Sequence, residues 1–294
     1  MVGTRALPSL LLLLAPLSLG LPACADQPDG DGPPVVTSGH YYGYIQHGWN
    51  FPATSAEWRE LGFDLDHDGV RENQVGSLIG SLGQIGLAIG DANADMVTSG
   101  DVILGHVVRA DRLDRDGSVA WQLWSSAGPP PRYDSHDVIA PSSVDGELVG
   151  MIVADTLHAE WGTAAIRVPL FPGQPPVILP LAEAHLDLAT RGTCHGVIGG
   201  VLDDAGLATA LDQVATEAIA HIAAHPDNDF SHAAYAVFDT APHDGTISKA
   251  EITAFAAQLL RPDVDLDGDG GKDGVSAAFG FDCAPAELAI APSF

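Results

Sequence analysis

Three aspartates alternate with other residues in the segment FDLDHDGVRENQVG, which covers positions 63–76. If the carboxylates of Asp64, Asp66 and Asp68 lie about 5 Å apart, each pair repels by roughly 3 kcal/mol at an effective dielectric constant near 20. A divalent cation placed among them turns this repulsion into attraction. Calcium accepts roughly six to eight oxygen ligands in irregular geometry, whereas magnesium demands a tighter arrangement. The spacing therefore predicts a calcium site.

The residues that follow these aspartates complete the predicted loop. Gly69 stands at the sixth position, where a residue without a side chain permits a sharp turn. The main-chain carbonyl of Val70 and the carboxylate of Glu72 come next, and both are oxygen ligands of the kind that calcium prefers. Both are predicted to join the three aspartates around the ion.

A second segment, DVDLDGDGGKDG at 263–274, repeats the same pattern. Its predicted ligands are Asp265, Asp267, Asp269 and Asp273. Asp263 permits another register, so the sequence leaves the ligand set of this loop open. Both segments fit D-x-D-x-D-G-x-x-[D/E], and two matches are harder to attribute to chance than one in an acidic chain.

The two loops resemble the aspartate loops of thrombospondin type 3 repeats and of related bacterial modules. They depart from the EF-hand, because Val75 and Ser276 occupy the twelfth position, where an EF-hand carries a bidentate glutamate. The resemblance covers about a dozen residues in each loop. It implies calcium binding with a structural role, and further ligands that come from elsewhere in the fold.

A third segment, TAPHDGTISKAE at 240–251, resembles an EF-hand loop between two helices. Asp244 and Glu251 match the fifth and twelfth positions, but the carboxylates usual at the first and third positions are missing. The resemblance implies a degenerate hand, weak or empty, with Asp244 and Glu251 as its candidate ligands. The alternative is an ordinary helix start, since Ser248 and Glu251 also fit a capping box.

Two histidines raise the question of an enzyme. His221 and His225 lie four residues apart on a predicted helix, a spacing that resembles zinc proteases, but Ile222 stands where the general base glutamate belongs. The sequence contains neither a G-x-S-x-G nucleophile elbow nor a phosphate-binding loop. We therefore expect no enzymatic activity, with a zinc-dependent hydrolase as the weakest alternative.

The elements that must position these residues follow from the hydrophobic pattern. Short apolar or alternating runs between 101 and 180, separated by turn signals, predict an antiparallel sheet or sandwich. Helical periodicity predicts helices near 73–87, from 203 onward, near 230–238 and near 249–260. We therefore expect an α+β fold, with a β-rich domain at 40–200 and a helical, EF-hand-like region at 201–294.

The N-terminal residues indicate export. Residues 1–23 have the pattern of a signal peptide, and LPAC at its end resembles a bacterial lipobox with Cys24 as the lipidated residue. Ordinary cleavage nearby, which would give a free protein, is the alternative. Residues 24–39 are rich in Pro and Gly and predict a flexible tether. Ala25 after the cysteine favours, by resemblance to lipoprotein sorting, the outer membrane.

The net charge restricts the classes of binding partner, and the cysteine content bears on disulfide formation. The net charge of −27 excludes nucleic acid and anionic membrane surfaces as direct partners and favours cations. Besides Cys24, the chain has Cys194 and Cys283, which in an oxidising compartment form either a disulfide or two buried thiols.

These observations predict a calcium-binding, lipid-anchored protein of the cell envelope with a structural or binding role. The alternative is a module that binds a glycan or a peptide through aromatic side chains of the sheet. The candidate aromatic residues are Tyr41, Tyr42, Tyr44, Trp49, Trp121 and Trp124. The sequence does not identify a protein or glycan partner.

Overall fold

Eight antiparallel strands form a closed sheet in the computed structural model of the chain. The structure describes residues 36, 38–85, 87, 99–100, 102–126, 130–240 and 243–289. The eight strands are β1 (His40–Asn50), β2 (Ile103–Ala110), β3 (Arg115–Ser126), β5 (Pro141–Val153), β6 (Thr156–Val168), β7 (Val177–Ala189), β8 (Cys194–Leu202) and β9 (Val275–Leu288). Each strand pairs with the next, and β9 pairs with β1 to close the barrel. The short strand β4 (Val138–Ile139) adds a parallel pairing to β9.

Five described helices occupy two of the connections between strands. Between β1 and β2 lie α1 (Ser55–Glu60) and α2 (Gln74–Gln84). Between β8 and β9 lie α3 (Asp204–Ala224), α4 (Asp229–Phe238) and α5 (Lys249–Leu259). None of the helices in the described part of the chain is long and apolar enough to cross a membrane.

The expected α+β fold, with a helical and EF-hand-like region at 201–294, is wrong. After α5 the chain returns to the sheet as β9, so the helices are an insertion within a mostly β fold. The physical reason is that an open sheet would leave the N–H and C=O groups of its edge strands unpaired. Pairing β9 with both β8 and β1 removes those edges.

The alternation of side chains along the strands fills the interior of the barrel. In β7 nearly every second residue is buried, as expected for a strand with one face in a core. Most residues of β2 are buried on both faces, because Leu104 and Val108 enter the main core while Ile103 and Val107 join a smaller apolar cluster. The closed sheet therefore has a main core inside and smaller clusters under its connections.

Strands β8 and β9 are also joined covalently. Cys194 and Cys283 lie directly opposite each other in the two strands and form a disulfide, with their Cα atoms 5.0 Å apart. Of the two alternatives left open by the sequence, the structure contains the disulfide. The bond ties β9 to its neighbour on one side, and the pairing with β1 holds it on the other.

Candidate metal centre

The first aspartate loop is a tight turn closed by an antiparallel bridge between Phe63 and Glu72. The N–H of Gly69 donates to Asp64 at 3.1 Å, and that of Val70 donates to Asp68 at 2.8 Å. Gly69 has a φ of 86°, a left-handed conformation that glycine adopts without strain. These contacts fold the loop back on itself and turn its acidic side chains inward.

Four carboxylates of this loop converge. Asp64, Asp66, Asp68 and Glu72 each offer an oxygen within 4.8 Å of the others. The side chain of Asp66 is only 5% exposed, and Glu72 is 6% exposed. One oxygen of Asp64 and one of Asp66 are buried and have no hydrogen-bond partner. Because buried charged oxygens are costly when unpaired, their convergence fits ligation of a cation.

The protonation behaviour of Glu72 reflects the same crowding. The pKa of Glu72 is raised to about 7, chiefly by burial and also by the charges of Asp66, Asp68 and Asp263, while the hydrogen bond from the N–H of Leu65 lowers it. Leu65 donates to Glu72 at 3.0 Å. Without a cation, this carboxyl therefore ionises only near neutral pH.

The second loop has the same local geometry as the first. A bridge between Val264 and Gly274 closes it, and the N–H of Gly270 donates to Asp265 at 2.8 Å, as Gly69 does to Asp64. Asp265, Asp267 and Asp269 bring their oxygens within 4.8 Å of one another. Two segments far apart in sequence thus fold into one kind of acidic turn.

Two acidic residues of the second loop lie outside its cluster. Asp273 accepts from the N–H of Leu266 at 2.8 Å, the counterpart of the contact between Leu65 and Glu72. Asp263 accepts from both the N–H and the hydroxyl of Ser276. The alternative register that begins at Asp263 is therefore disfavoured, since that carboxylate already has two donors.

The two loops lie side by side. The N–H of Asp265 donates to Asp66 at 3.2 Å, and the ammonium of Lys272 forms an ion pair with Asp66. The pKa of Asp66 is lowered, chiefly by the hydrogen bond from Lys272. Beneath the loops lies a small apolar cluster, composed of Phe63, Leu65, Val201, Val264 and Ala278. Strands β8 and β9 supply its floor.

A buried asparagine fastens the first loop to β9. Asn73 is fully buried, its side-chain oxygen accepts from Gly76 and Ala278, and its amide donates to Trp58 and Ala278. The roles of Asn73 and Lys272 were not predicted from the sequence. Asn73 could have been recognised as the cap of α2. Its contact with Ala278 and the contact of Lys272 with Asp66 join residues far apart in the chain, and such contacts leave no signal in a single sequence.

The structure contains the helix start that the sequence offered as an alternative for 240–251, while Asp244 and Glu251 as calcium ligands stay a prediction. Ser248 and Glu251 form a capping box at the start of α5, and Glu251 also accepts from the N–H of Thr240 at 3.0 Å. Asp244 accepts from the N–H of Thr246 at 2.9 Å, the counterpart of the contact between Val70 and Asp68 in the first loop. Among the described residues, which leave out 241 and 242, Asp244 and Glu251 belong to no convergent acidic group.

The histidine pair lies in an apolar setting. The rings of His221 and His225 are 4.6 Å apart, and the ring of His221 contacts Phe171 and Phe230. The side-chain nitrogen Nδ2 of Asn228 lies 3.4 Å from Nε2 of His221. Within the described part of the chain, no third metal ligand converges on this pair.

The sheet aromatics do not form one exposed face. Tyr44, Trp49, Trp121 and Trp124 are buried in apolar clusters, while Tyr41 is 39% exposed. Four of the six residues proposed to grip a glycan or peptide are therefore part of the core. Cys24, the predicted lipidation site, lies outside the described residues.

Comparison with known proteins finds no matching family model, no matching curated protein and no matching solved structure. The function is therefore inferred from the acidic loops themselves.

Proposed function

We propose that this chain is a calcium-binding protein of the cell envelope, held to the membrane by lipid on Cys24, in which calcium braces the two acidic loops against the barrel. Its role is structural or that of a binding module, and it is not catalytic. The proposal is supported above all by the four convergent carboxylates of the first loop, two of whose oxygens are buried without a hydrogen-bond partner.

The chemistry of the donors favours calcium over other metals. Every side chain in the two clusters is a carboxylate, and hard oxygen ligands suit calcium or magnesium, whereas zinc and copper prefer nitrogen or sulfur. The carbonyl of Val70 remains a proposed further ligand of the first loop. A loop of alternating aspartates provides many oxygens without strict octahedral geometry, which favours calcium over magnesium.

Export is supported by different residues. The first 24 residues have the pattern of a lipoprotein signal, and the disulfide between Cys194 and Cys283 suits an oxidising compartment. The net charge of −27 disfavours direct contact with anionic lipid, so the proposed membrane contact is the lipid alone.

Calcium titration by calorimetry, together with thermal melting in chelator, tests the proposal. We expect two bound calcium ions per chain, and the loss of one in Asp66→Asn and of the other in Asp267→Asn. Free calcium at a hundred times the dissociation constant stabilises the fold by about 2.7 kcal/mol per independent site. Chelator should therefore lower the melting temperature by several degrees, and magnesium should restore it poorly.

Asp212→Asn is the matched control, because Asp212 is an exposed aspartate that pairs with Lys249 on another part of the surface. This variant should bind two calcium ions like the wild type. A protein that takes up no calcium at millimolar concentration, and whose melting curve is the same in chelator, would contradict the proposal.

A further inference from the structure

The two acidic loops differ in one charged contact. Lys272, which belongs to the second loop, extends its ammonium across to the first, where it pairs with Asp66 and lies 3.5 Å from Asp68. Arg71 occupies the corresponding position of the first loop, but its guanidinium donates to the carbonyl of Glu60 at 3.0 Å. One loop therefore holds a cationic side chain from the other, and the contact is not reciprocated.

The second cluster has no such partner. Among the residues that the structure describes, no lysine or arginine nitrogen lies within ion-pair distance of Asp265, Asp267 or Asp269. In the first cluster, one oxygen of Asp66 accepts from Lys272 while the other is buried without a hydrogen-bond partner. The ammonium thus neutralises part of the first cluster and leaves an oxygen available beside it.

A divalent ion bound by Asp66 and Asp68 would lie within a few ångströms of the Lys272 ammonium. Like charges at that distance repel, and both cations are attracted by the negative charge of the same two carboxylates. Binding in the first loop therefore requires Lys272 to withdraw toward solvent, which its partly exposed, flexible side chain permits.

We propose that Lys272 competes with the metal in the first loop and so weakens calcium binding there. It makes no direct contact with the acidic cluster of the second loop and therefore does not weaken calcium binding in that loop. The inference rests on the proposed calcium function. It assigns the loops different roles: the second binds without an internal rival, whereas the first fills only when calcium is high enough to displace the lysine. The pair then responds to calcium at two thresholds.

The test isolates the first loop. In a protein carrying Asp267→Asn and Asp269→Asn, calcium binding to the remaining cluster is measured by calorimetry with and without Lys272→Met, which keeps an unbranched side chain of similar length and removes the charge. We expect the dissociation constant to fall about tenfold, a ratio that corresponds to 1.4 kcal/mol. In the complementary Asp66→Asn and Asp68→Asn background, Lys272→Met should change binding to the second loop less than about threefold, since no direct contact is lost.

Arg71→Met is the matched control, because it removes the same charge at the corresponding position, where the side chain contacts no acidic cluster. It should change calcium affinity of the first loop by less than about threefold. The inference is overturned if Lys272→Met leaves the first loop unchanged, or if Arg71→Met tightens binding equally. If the first loop binds calcium with the same affinity with and without Lys272→Met, this inference alone is overturned. If none of these proteins binds calcium, the proposed function is overturned as well.

Discussion

Replacing Glu72 with glutamine should stabilise the calcium-free protein at neutral pH and destabilise the calcium-bound one. Glu72 is buried among other carboxylates, and its pKa is raised from 4.5 to about 7. Glutamine is neutral, has nearly the same shape and retains an oxygen that can accept from Leu65. The substitution therefore removes the charge and keeps the packing.

The sign of the expected change in unfolding free energy follows from the linkage between protonation and folding. A carboxyl with a raised pKa in the folded state contributes its full stability below the unfolded pKa and loses it as pH rises through the folded pKa. The shift from 4.5 to about 7, at 1.36 kcal/mol per unit, corresponds to a loss of up to about 3 kcal/mol between pH 4.5 and pH 8. Glu72→Gln should therefore match the wild type near pH 4 and exceed it by up to about 3 kcal/mol at pH 8.

The comparison must be made between variant and wild type at each pH, because another group titrates in the opposite direction. His106 is buried inside the barrel and stacks on Phe281 with ring centroids 4.4 Å apart. Burial lowers the pKa of His106 to about 3. The unfolded chain therefore gains a proton below pH 6.5 that the folded chain does not, and stability falls with acid. This contribution cancels in the difference between the two proteins.

Urea denaturation followed by tryptophan fluorescence, in calcium-stripped buffers from pH 4 to pH 8, measures that difference. Saturating calcium should reverse its sign at pH 8, because glutamine removes an ionised ligand. Asp273→Asn is the control: Asp273 makes the corresponding contact with Leu266 but is exposed to water. A difference between Glu72→Gln and wild type that stays flat across this pH range would refute the account of Glu72.

Two further predictions concern the contacts that hold β9 in place. Asn73→Asp keeps the acceptor of a fully buried side chain but removes its donors to Trp58 and Ala278, so urea denaturation should show a loss of about 2–4 kcal/mol. Asn228→Asp, at the cap of α4, should cost less than about 1 kcal/mol, and an equal cost at both sites would contradict the reasoning. Removing the disulfide by Cys194→Ala with Cys283→Ala, which lie 89 residues apart, should cost about 4–5 kcal/mol by the loop-closure estimate in the same assay. A change below about 1 kcal/mol would contradict it.

Local features could be predicted from the sequence because they depend on nearby residues. The spacing of the aspartates indicated both acidic clusters, since side chains on one tight turn converge without help from the rest of the chain. The starts of α2, α4 and α5 lie within a residue of those predicted, because Asn73, Asn228 and Ser248 cap them. In each case the signal lies within a few residues of the feature.

Closure of the sheet could not be predicted in this way. Strands β8 and β9 are rich in glycine and alanine, residues that are depleted in strands. The structure shows why small residues are required: a Cβ at Gly196 would collide with the ring of Phe281, and one at Gly199 would lie 2.9 Å from Phe63. These constraints come from partners far away in sequence, so the same glycines that weaken the strand signal are what the fold needs.

The acidic loops lie where the barrel closes. The first loop belongs to the connection that leaves β1, the second leads directly into β9, and the pairing of β1 with β9 completes the sheet. Lys272 and Asp66, which join the loops, are 206 residues apart in sequence. Bringing them together costs the chain the entropy of closing a loop of that length.

The disulfide holds β9 to β8, and Asn73 holds the first loop to β9. Calcium bound in both loops would act on the same two strands, β8 and β9, because each cluster rests on the apolar floor formed by Val201 and Ala278. The crowded acidic side chains of the described residues thus lie beside the strands that close the sheet, where the proposed cations would stabilise that closure.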